Sequence, residues 1–212
     1  MGKGIFISFE GSDGAGKSSV MAAVADWLRA ERGADRVIET REPGGNRIAE
    51  QIRAVLFDDR NTNMDARTEA LLFAAARRQH VVEDLQPALA AGKVILSDRY
   101  VDSSVAYQGA GRQLGIDRVW EPNQYATAGC LPQLTVYLDL PVEEGLARIA
   151  AHRSDQVNRL DREQLAFHET VHAAYDELAR RHPQRIVKVD ARPPMPEVID
   201  QVKALITARF FA

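Results

Sequence analysis

The chain has 212 residues, 45% of them apolar and 27% charged, with a net charge of -3 and a single cysteine, Cys130. That length holds one domain with a sizeable core, and two full domains would be cramped. The charge excludes the basic footprint of a nucleic-acid binder, the lone cysteine excludes an intrachain disulfide, and no apolar run reaches the length of a membrane span. A reducing, cytoplasmic setting fits; the start of the chain reads as structure rather than as a secretory signal.

An apolar run over 5–9 reads as a short buried strand. It leads into Gly11-Ser12-Asp13-Gly14-Ala15-Gly16-Lys17-Ser18, the G-x-x-x-x-G-K-S pattern of a Walker A loop. Apolar residues at helical spacing follow, so 17–32 reads as a helix that stops at Gly33. Strand, glycine loop and helix start are the context the pattern needs. The glycines let backbone N–H groups turn inward around phosphate oxygens, and the helix start adds unpaired N–H groups and a positive dipole end. Lys17 would reach the β- and γ-phosphates of a nucleotide, and the Ser18 hydroxyl would ligate Mg²⁺. Asp13 is out of place here, because a carboxylate repels phosphate. It bonds turn N–H groups, accepts from a sugar hydroxyl, or pairs with an arginine.

Strand two is expected over 36–40, followed by a breaker-rich loop at 41–45 that holds Glu42 and Pro43. Ile48, Ile52, Val55 and Leu56 mark a helix with Arg47 and Arg53 on its more polar side. A long helix starts near Asp65; Phe73 and Arg77, four apart, share one of its faces. Pro87 restarts it and Gly92 ends it. The apolar run 94–98 closes on Asp98, as a Walker B strand does, whose Asp holds Mg²⁺ directly or through water. Arg99 and Tyr100 follow at once. A short helix and loop are expected over 102–112, a helix over 116–128, strand four over 134–138 and a helix over 143–151. Residues 152–162 are polar and arginine-rich. A helix over 162–181, strand five over 185–189 and a helix over 194–210 complete the chain.

Strands alternating with helices mean an α/β fold, a five-stranded and mostly parallel sheet covered on both faces, as one domain over 1–212. Ligands should gather at the carboxyl ends of the strands. Asp13, Glu42, Asp98 and Arg99 all fall just beyond strand ends.

A Walker A loop by itself implies only a bound phosphate chain, as in GTPases, ATPases and small kinases. The guanine-reading N-K-x-D pattern is missing: 158–161 has Arg in place of Lys and follows a helix. The arginine-rich stretch suits a lid over transferring phosphate, or else a solvated surface loop. Arg53 and Arg99 could clamp a second phosphate bidentately, or serve as ordinary surface residues. Two phosphate sites would mean a donor and an acceptor, hence phosphoryl transfer to a nucleoside monophosphate.

Five segments together resemble bacterial thymidylate kinases: Phe-Glu-Gly-Ser-Asp-Gly-Ala-Gly-Lys-Ser-Ser (9–19), Thr-Arg-Glu-Pro-Gly-Gly (40–45), Leu-Leu-Phe-Ala-Ala-Ala-Arg (71–77), Ser-Asp-Arg-Tyr (97–100) and Ser-Ser-Val-Ala-Tyr-Gln-Gly (103–109). They follow that family's order and spacing over nearly the whole chain. The resemblance implies a P-loop kinase fold and transfer of the γ-phosphoryl group of ATP to thymidine 5′-monophosphate (dTMP), with Mg²⁺, in a homodimer. It implies that residues 11–19, Ser19 included, hold ATP, and that the backbone near Arg192 lies against adenine. Phe73 would stack on thymine and Arg77 would bond a base carbonyl. Ser103, Ser104 and Gln108 would line the acceptor pocket, with Tyr107 beneath the sugar, where it disfavours a 2′-hydroxyl. Glu42 and Pro43 would border the acceptor site, and Arg53 and Arg99 would hold its phosphate. Asp13 would meet the sugar 3′-hydroxyl or an acceptor-side arginine. Some members carry a basic residue where this chain has Gly14; the others have a plain loop and a basic lid, which this chain matches with Arg153, Arg159 and Arg162. A family habit of Arg before Leu-Asp favours Arg159. Other monophosphate or deoxynucleoside kinases, and a nucleotide-gated switch, are the competing readings.

Overall fold

The computed structural model describes residues 4–152 and 164–212. Its centre is one five-stranded sheet in the order β2-β3-β1-β4-β5, built from β1 (Ile5–Glu10), β2 (Val37–Arg41), β3 (Val94–Asp98), β4 (Leu134–Asp139) and β5 (Ile186–Asp190). Every pairing is parallel, so the sheet is wholly rather than mostly parallel. A parallel sheet is covered on both faces, and the period of two along each strand divides its side chains between them. On one face Ile7, Phe9, Leu96 and Val136 pack with Val20, Val24 and Leu28 of α1 (Lys17–Arg32) and with Val202 and Ile206 of α9 (Met195–Phe210). On the other, Phe6, Ile95 and Tyr137 pack beneath Tyr100, Leu85 and Tyr175.

That second layer consists of α3 (Ala66–His80), α4 (Gln86–Ala90), α5 (Val101–Ser104), α6 (Ile116–Thr127) and α8 (Leu165–Arg181). Helix α2 (Arg47–Phe57) packs against α3, and α7 (Val142–His152) follows β4. Side-chain caps set two of the starts: Asn46 accepts from Ala49 N–H, and Asp65 accepts from Arg67 and Thr68 N–H. Element boundaries move from the expected ones by a residue or so, and by three at the start of α8.

Two segments differ from the sequence-based expectation in kind. Residues Val105–Gly111 form a widened π turn that continues α5, where a loop is expected, and they turn Tyr107 and Gln108 inward to burial. A second π turn, Val81–Leu85, lies between α3 and α4. Pro87 has no N–H to donate, and the wide turn delivers the chain to it, with Gln86 N–H bonding back to Val81 O.

Candidate active site

β1 stands at the centre of the sheet, and the phosphate loop leaves its carboxyl end. The loop is confined by backbone: a Cβ at Gly11 would lie 2.4 Å from Leu138 O, and one at Gly14 2.2 Å from Gly145 O. Gly11 and Gly14 also have φ of 133° and 81°, which only glycine adopts without strain. The loop is thereby wedged between β4 and α7, and Gly16, also left-handed, starts α1. Lys17 folds back over the loop, donating to Gly11 O at 3.0 Å and Ser12 O at 2.8 Å. Burial, then the charge of Arg99, pushes its ammonium down to about 8.

Pairing places β3 beside β1, with Asp98 opposite Phe9. Ser18 Oγ donates to Asp98 Oδ2 at 2.6 Å, so the two oxygens expected at a Mg²⁺ site stand together. Hard oxygen donors at a phosphate loop fit that ion.

Arg99 has φ of 68°, an uncommon conformation for a residue with a side chain. Its backbone is held by Ser97 Oγ donating to Arg99 O at 2.7 Å and by Arg99 N–H donating to Phe9 O at 3.0 Å. The turn aims the guanidinium at the loop. There Nη2 meets Asp13 Oδ1 at 2.5 Å, and Nη1 donates to Gly11 O at 3.2 Å and Ser103 Oγ at 3.1 Å. Tyr107 OH donates to the other Asp13 oxygen at 2.6 Å. Burial alone would raise the Asp13 carboxyl; the charges of Arg99 and Lys17 and the Tyr107 hydrogen bond outweigh it and hold the group well below the usual carboxylate range. Of the roles open to Asp13, the structure shows the arginine pair.

Behind this pair Glu10 is fully buried. Its carboxylate accepts from Tyr100 N–H at 2.7 Å, Ser103 Oγ at 2.6 Å and Tyr175 OH at 2.9 Å. Burial, with the charge of Asp102 adding to it, raises the Glu10 carboxyl to about 7.

The cleft over the loop has a volume of about 520 Å³ and runs on between α2, α3 and α5. Its loop end is lined by Asp13, Gly14, Gly16, Lys17, Ser18, Ser19 and Asp98. Arg99, Ser103, Ser104, Tyr107 and Gln108 form one wall, and Glu42, Pro43 and Arg53 face them, with Phe73 and Arg77 at the far end. Arg53 Nη1 donates to Pro43 O at 2.8 Å and its guanidinium lies 4.7 Å from the centre of the Phe57 ring. Phe73 meets Phe57 edge to face, with ring centres 6.4 Å apart. Gln108 donates to buried Glu69 at 2.9 Å. Arg77 is almost fully buried: Nε donates to Glu42 Oε2 at 2.7 Å, the terminal nitrogens donate to Ser104 Oγ and Tyr100 O at 3.2 Å, and Nη1 also donates to Asn123 Oδ1.

Gly11, Ser12 and Ala15 shape the loop without lining the cleft. Arg192 turns outward onto Asp190, with Nη2 at 2.8 Å, and does not line the cleft either. The neighbouring carbonyl of Ala191 instead accepts from Arg148 at 3.3 Å, and Arg148 does line it. Arg153, Arg159 and Arg162 lie outside the described residues. The sequence reading missed Arg41, Phe57, Tyr100, Arg148 and Ile149 as cleft residues. The i,i+4 relation of Arg53 and Phe57 on one helix was the available signal for Phe57; nothing in spacing marks Arg148.

A phosphate loop at one end of a cleft and an arginine-lined, aromatic-floored pocket at the other define a P-loop kinase of the α/β class acting on a small second substrate. The sequence profile of the family described as Thymidylate kinase matches residues 9–202. The thymidylate kinase of Limosilactobacillus reuteri is 59% identical over 207 residues, covering 98% of this chain and 97% of that one. That of Limosilactobacillus fermentum is 61% identical, covering 98% and 96%. Among solved structures, the thymidylate kinase of Ehrlichia chaffeensis superposes with a TM-score of 0.81 at 26% identity, covering 97% of this chain and all of that one. The chain belongs to the thymidylate kinase family, whose members phosphorylate dTMP to the diphosphate with ATP.

Proposed function

We propose that this chain transfers the γ-phosphoryl group of ATP to dTMP, and that the residues of the cleft divide the work as follows. The observation that carries the reading is the continuity of the cleft from Lys17 to Arg77. The loop amides and Lys17 hold the β- and γ-phosphates, and a phosphate arriving there draws Lys17 away from the two loop carbonyls it now bonds. Ser18 and Asp98 hold Mg²⁺, which when bound neutralises charge on the phosphate oxygens. Arg53 and Arg99 grip the acceptor phosphate, and Asp13 keeps Arg99 in line. An acceptor phosphate oxygen attacks the γ-phosphorus, and the bond to the bridging oxygen breaks, leaving ADP. Little covalent work falls to the protein; positioning and charge do most of it.

At the other end Phe73 stacks on the base. Arg77 offers N–H groups to a base carbonyl in place of its two longest side-chain contacts, both to Ser104 Oγ at 3.2 Å. Tyr107 lies beneath the sugar, and Gln108 and Ser104 complete the pocket. An arginine of 153–162, Arg159 first among them, supplies the further positive charge, because Gly14 brings none. Arg148 and the Ala191 carbonyl border the adenine side.

The cytoplasm is the proposed setting, as a lone cysteine fits a reducing compartment. No described helix is long and apolar enough to cross a membrane. The protein works as a homodimer: Ile48 and Val55 of α2, Leu71 of α3 and Tyr125 of α6 are exposed apolar residues, Tyr125 at 87%. Light scattering at micromolar concentration tests the dimer, with twice the chain mass expected. The reaction is tested by following ADP release from ATP and Mg²⁺ with and without dTMP.

A further inference from the structure

Glu42 is the hub of a buried chain of polar contacts that the reaction does not consume. One carboxylate oxygen takes Arg77 Nε at 2.7 Å; the other faces His80 Nδ1 at 2.9 Å. Arg77 and His80 are three apart on α3, so one helix face presents both to the same carboxylate. The far nitrogen of the ring, Nε2, lies 2.8 Å from Thr40 Oγ1 on β2. His80 has no exposed surface and Glu42 is 5% exposed. Opposite a carboxylate, Nδ1 carries the proton and donates it; the Thr40 hydroxyl then donates to Nε2. Gly45 makes room for the ring. A Cβ there would stand 2.6 Å from His80 Cδ2 and 2.7 Å from Nε2, at a φ of 98° that already calls for glycine.

A carboxylate held by a single arginine can rotate about its side-chain bonds, and the arginine moves with it. Here the second oxygen is tied through His80 to the strand beside the site, so the carboxylate has one orientation, and it fixes the Nε edge of a guanidinium whose terminal nitrogens Ser104, Tyr100 and Asn123 hold. His80 adds to the Arg77–Glu42 bond a second tie between helix α3 and the loop after β2, and through Thr40 a tie to β2 itself.

We infer that His80 is a positioning residue for acceptor-base recognition: through Glu42 it sets the angle at which Arg77 meets the base. The inference rests on the proposed role of Arg77 at the acceptor base. His80 touches neither substrate, so its loss should appear in acceptor binding and base choice, and not in the phosphoryl-transfer step or in ATP binding.

The test compares three variants in the ADP-release assay, with melting temperature as a control. An asparagine amide superposes on Nδ1 and a glutamine amide on Nε2, so His80→Asn keeps the donor to Glu42 and His80→Gln loses it. His80→Gln should raise KM for dTMP about tenfold and narrow the preference for dTMP over deoxycytidine monophosphate, leaving kcat and KM for ATP within about twofold of wild type. His80→Asn should recover most of the loss. In an Arg77→Ala background His80→Gln should add less than about twofold, because its effect passes through Arg77. Unchanged KM and base preference in His80→Gln, equal damage in the Asn and Gln variants, or full additivity with Arg77→Ala would each overturn the inference. A wild-type protein inert towards dTMP would overturn the proposed reaction as well, whereas an active wild type with an indifferent His80 overturns this inference alone.

Discussion

Asp13 and Arg99, 86 residues apart in the chain, meet at 2.5 Å between the phosphate loop and the end of β3. The contact resolves the oddity of an acidic residue in an anion-binding loop. The carboxylate does not face a phosphate unaided; it is neutralised by an arginine that the left-handed turn at residue 99 points towards it. With the loop proposed to hold the donor and Arg99 the acceptor phosphate, the pair would also join the two halves of the cleft.

If Asp13 acts by holding Arg99, the two residues form one unit. Asp13→Asn should lower kcat/KM for dTMP by roughly 10²-fold, and Arg99→Ala by roughly 10²–10³-fold. The double variant should be no worse than Arg99→Ala alone. Losses that multiply would mean Asp13 contacts the substrate independently. Steady-state rates on the three variants decide it.

Lys17 puts stability and activity in opposition. Its folded pKa, about 8, lies below the ordinary lysine value of 10.5 because of burial and the charge of Arg99. Between those two values the unfolded chain holds a proton that the native chain has released, so stability rises with pH across that window, and below it the full cost of the buried charge is present. Lys17→Met should therefore melt higher than wild type at pH 7, with the gap closing as pH rises through 8 towards 10.5. The same variant should lose at least about 10²-fold in kcat. A melting point at pH 7 equal to or below that of wild type would show that the burial of Lys17 is compensated elsewhere.

The base pocket makes a separate prediction. Cytosine presents an amino group where thymine presents a carbonyl, and Arg77 has only donors. A buried donor left facing a donor costs roughly 1–3 kcal/mol, so dTMP should exceed deoxycytidine monophosphate by at least about tenfold in kcat/KM. Phe73→Ala should lose roughly 1–3 kcal/mol of acceptor binding through lost stacking. Unaltered acceptor KM in that variant would make Phe73 a packing residue of the Phe57 contact only.

Much of the frame is legible in the sequence for local reasons. The phosphate loop, the helix after it and the five strands follow from short-range spacing and from which residues tolerate a tight turn. Family likeness brings Phe73, Arg77 and Arg99 to the cleft they line, with the i,i+4 relation adding the shared face of the first two; their roles there are proposals. What stays hidden is whatever depends on a partner far along the chain. The π turn at Val105–Gly111 is held where it is by the helices packed on it, and its residues show no distinctive period. His80 reads as an ordinary last-turn histidine until β2 brings Thr40 against it. Glu42, expected at the border of the acceptor site, has both oxygens engaged by α3. Arg148 has no motif, and its position emerges only once α7 packs beside the loop.

A fourth set of variants addresses the source of transition-state charge. Arg159→Ala should lower kcat and kcat/KM together by roughly 10²–10³-fold with little change in either KM, the signature of a contact made in the transition state. Arg153→Ala and Arg162→Ala are the comparisons. Near-normal kcat in all three single variants and in the triple variant, with chemistry rate-limiting, would assign the charge to Arg99 or the metal instead.

The central claim is that one continuous cleft brings ATP on the phosphate loop to dTMP held by Arg53, Arg99, Phe73 and Arg77. The most direct measurement is ADP release by the purified protein with ATP and Mg²⁺, first alone and then with dTMP. The account predicts a low rate without acceptor, a large increase with dTMP matched mole for mole by the diphosphate, and at least about tenfold lower kcat/KM for deoxycytidine monophosphate. Tight ATP binding with no ADP release above background when dTMP is added would contradict it.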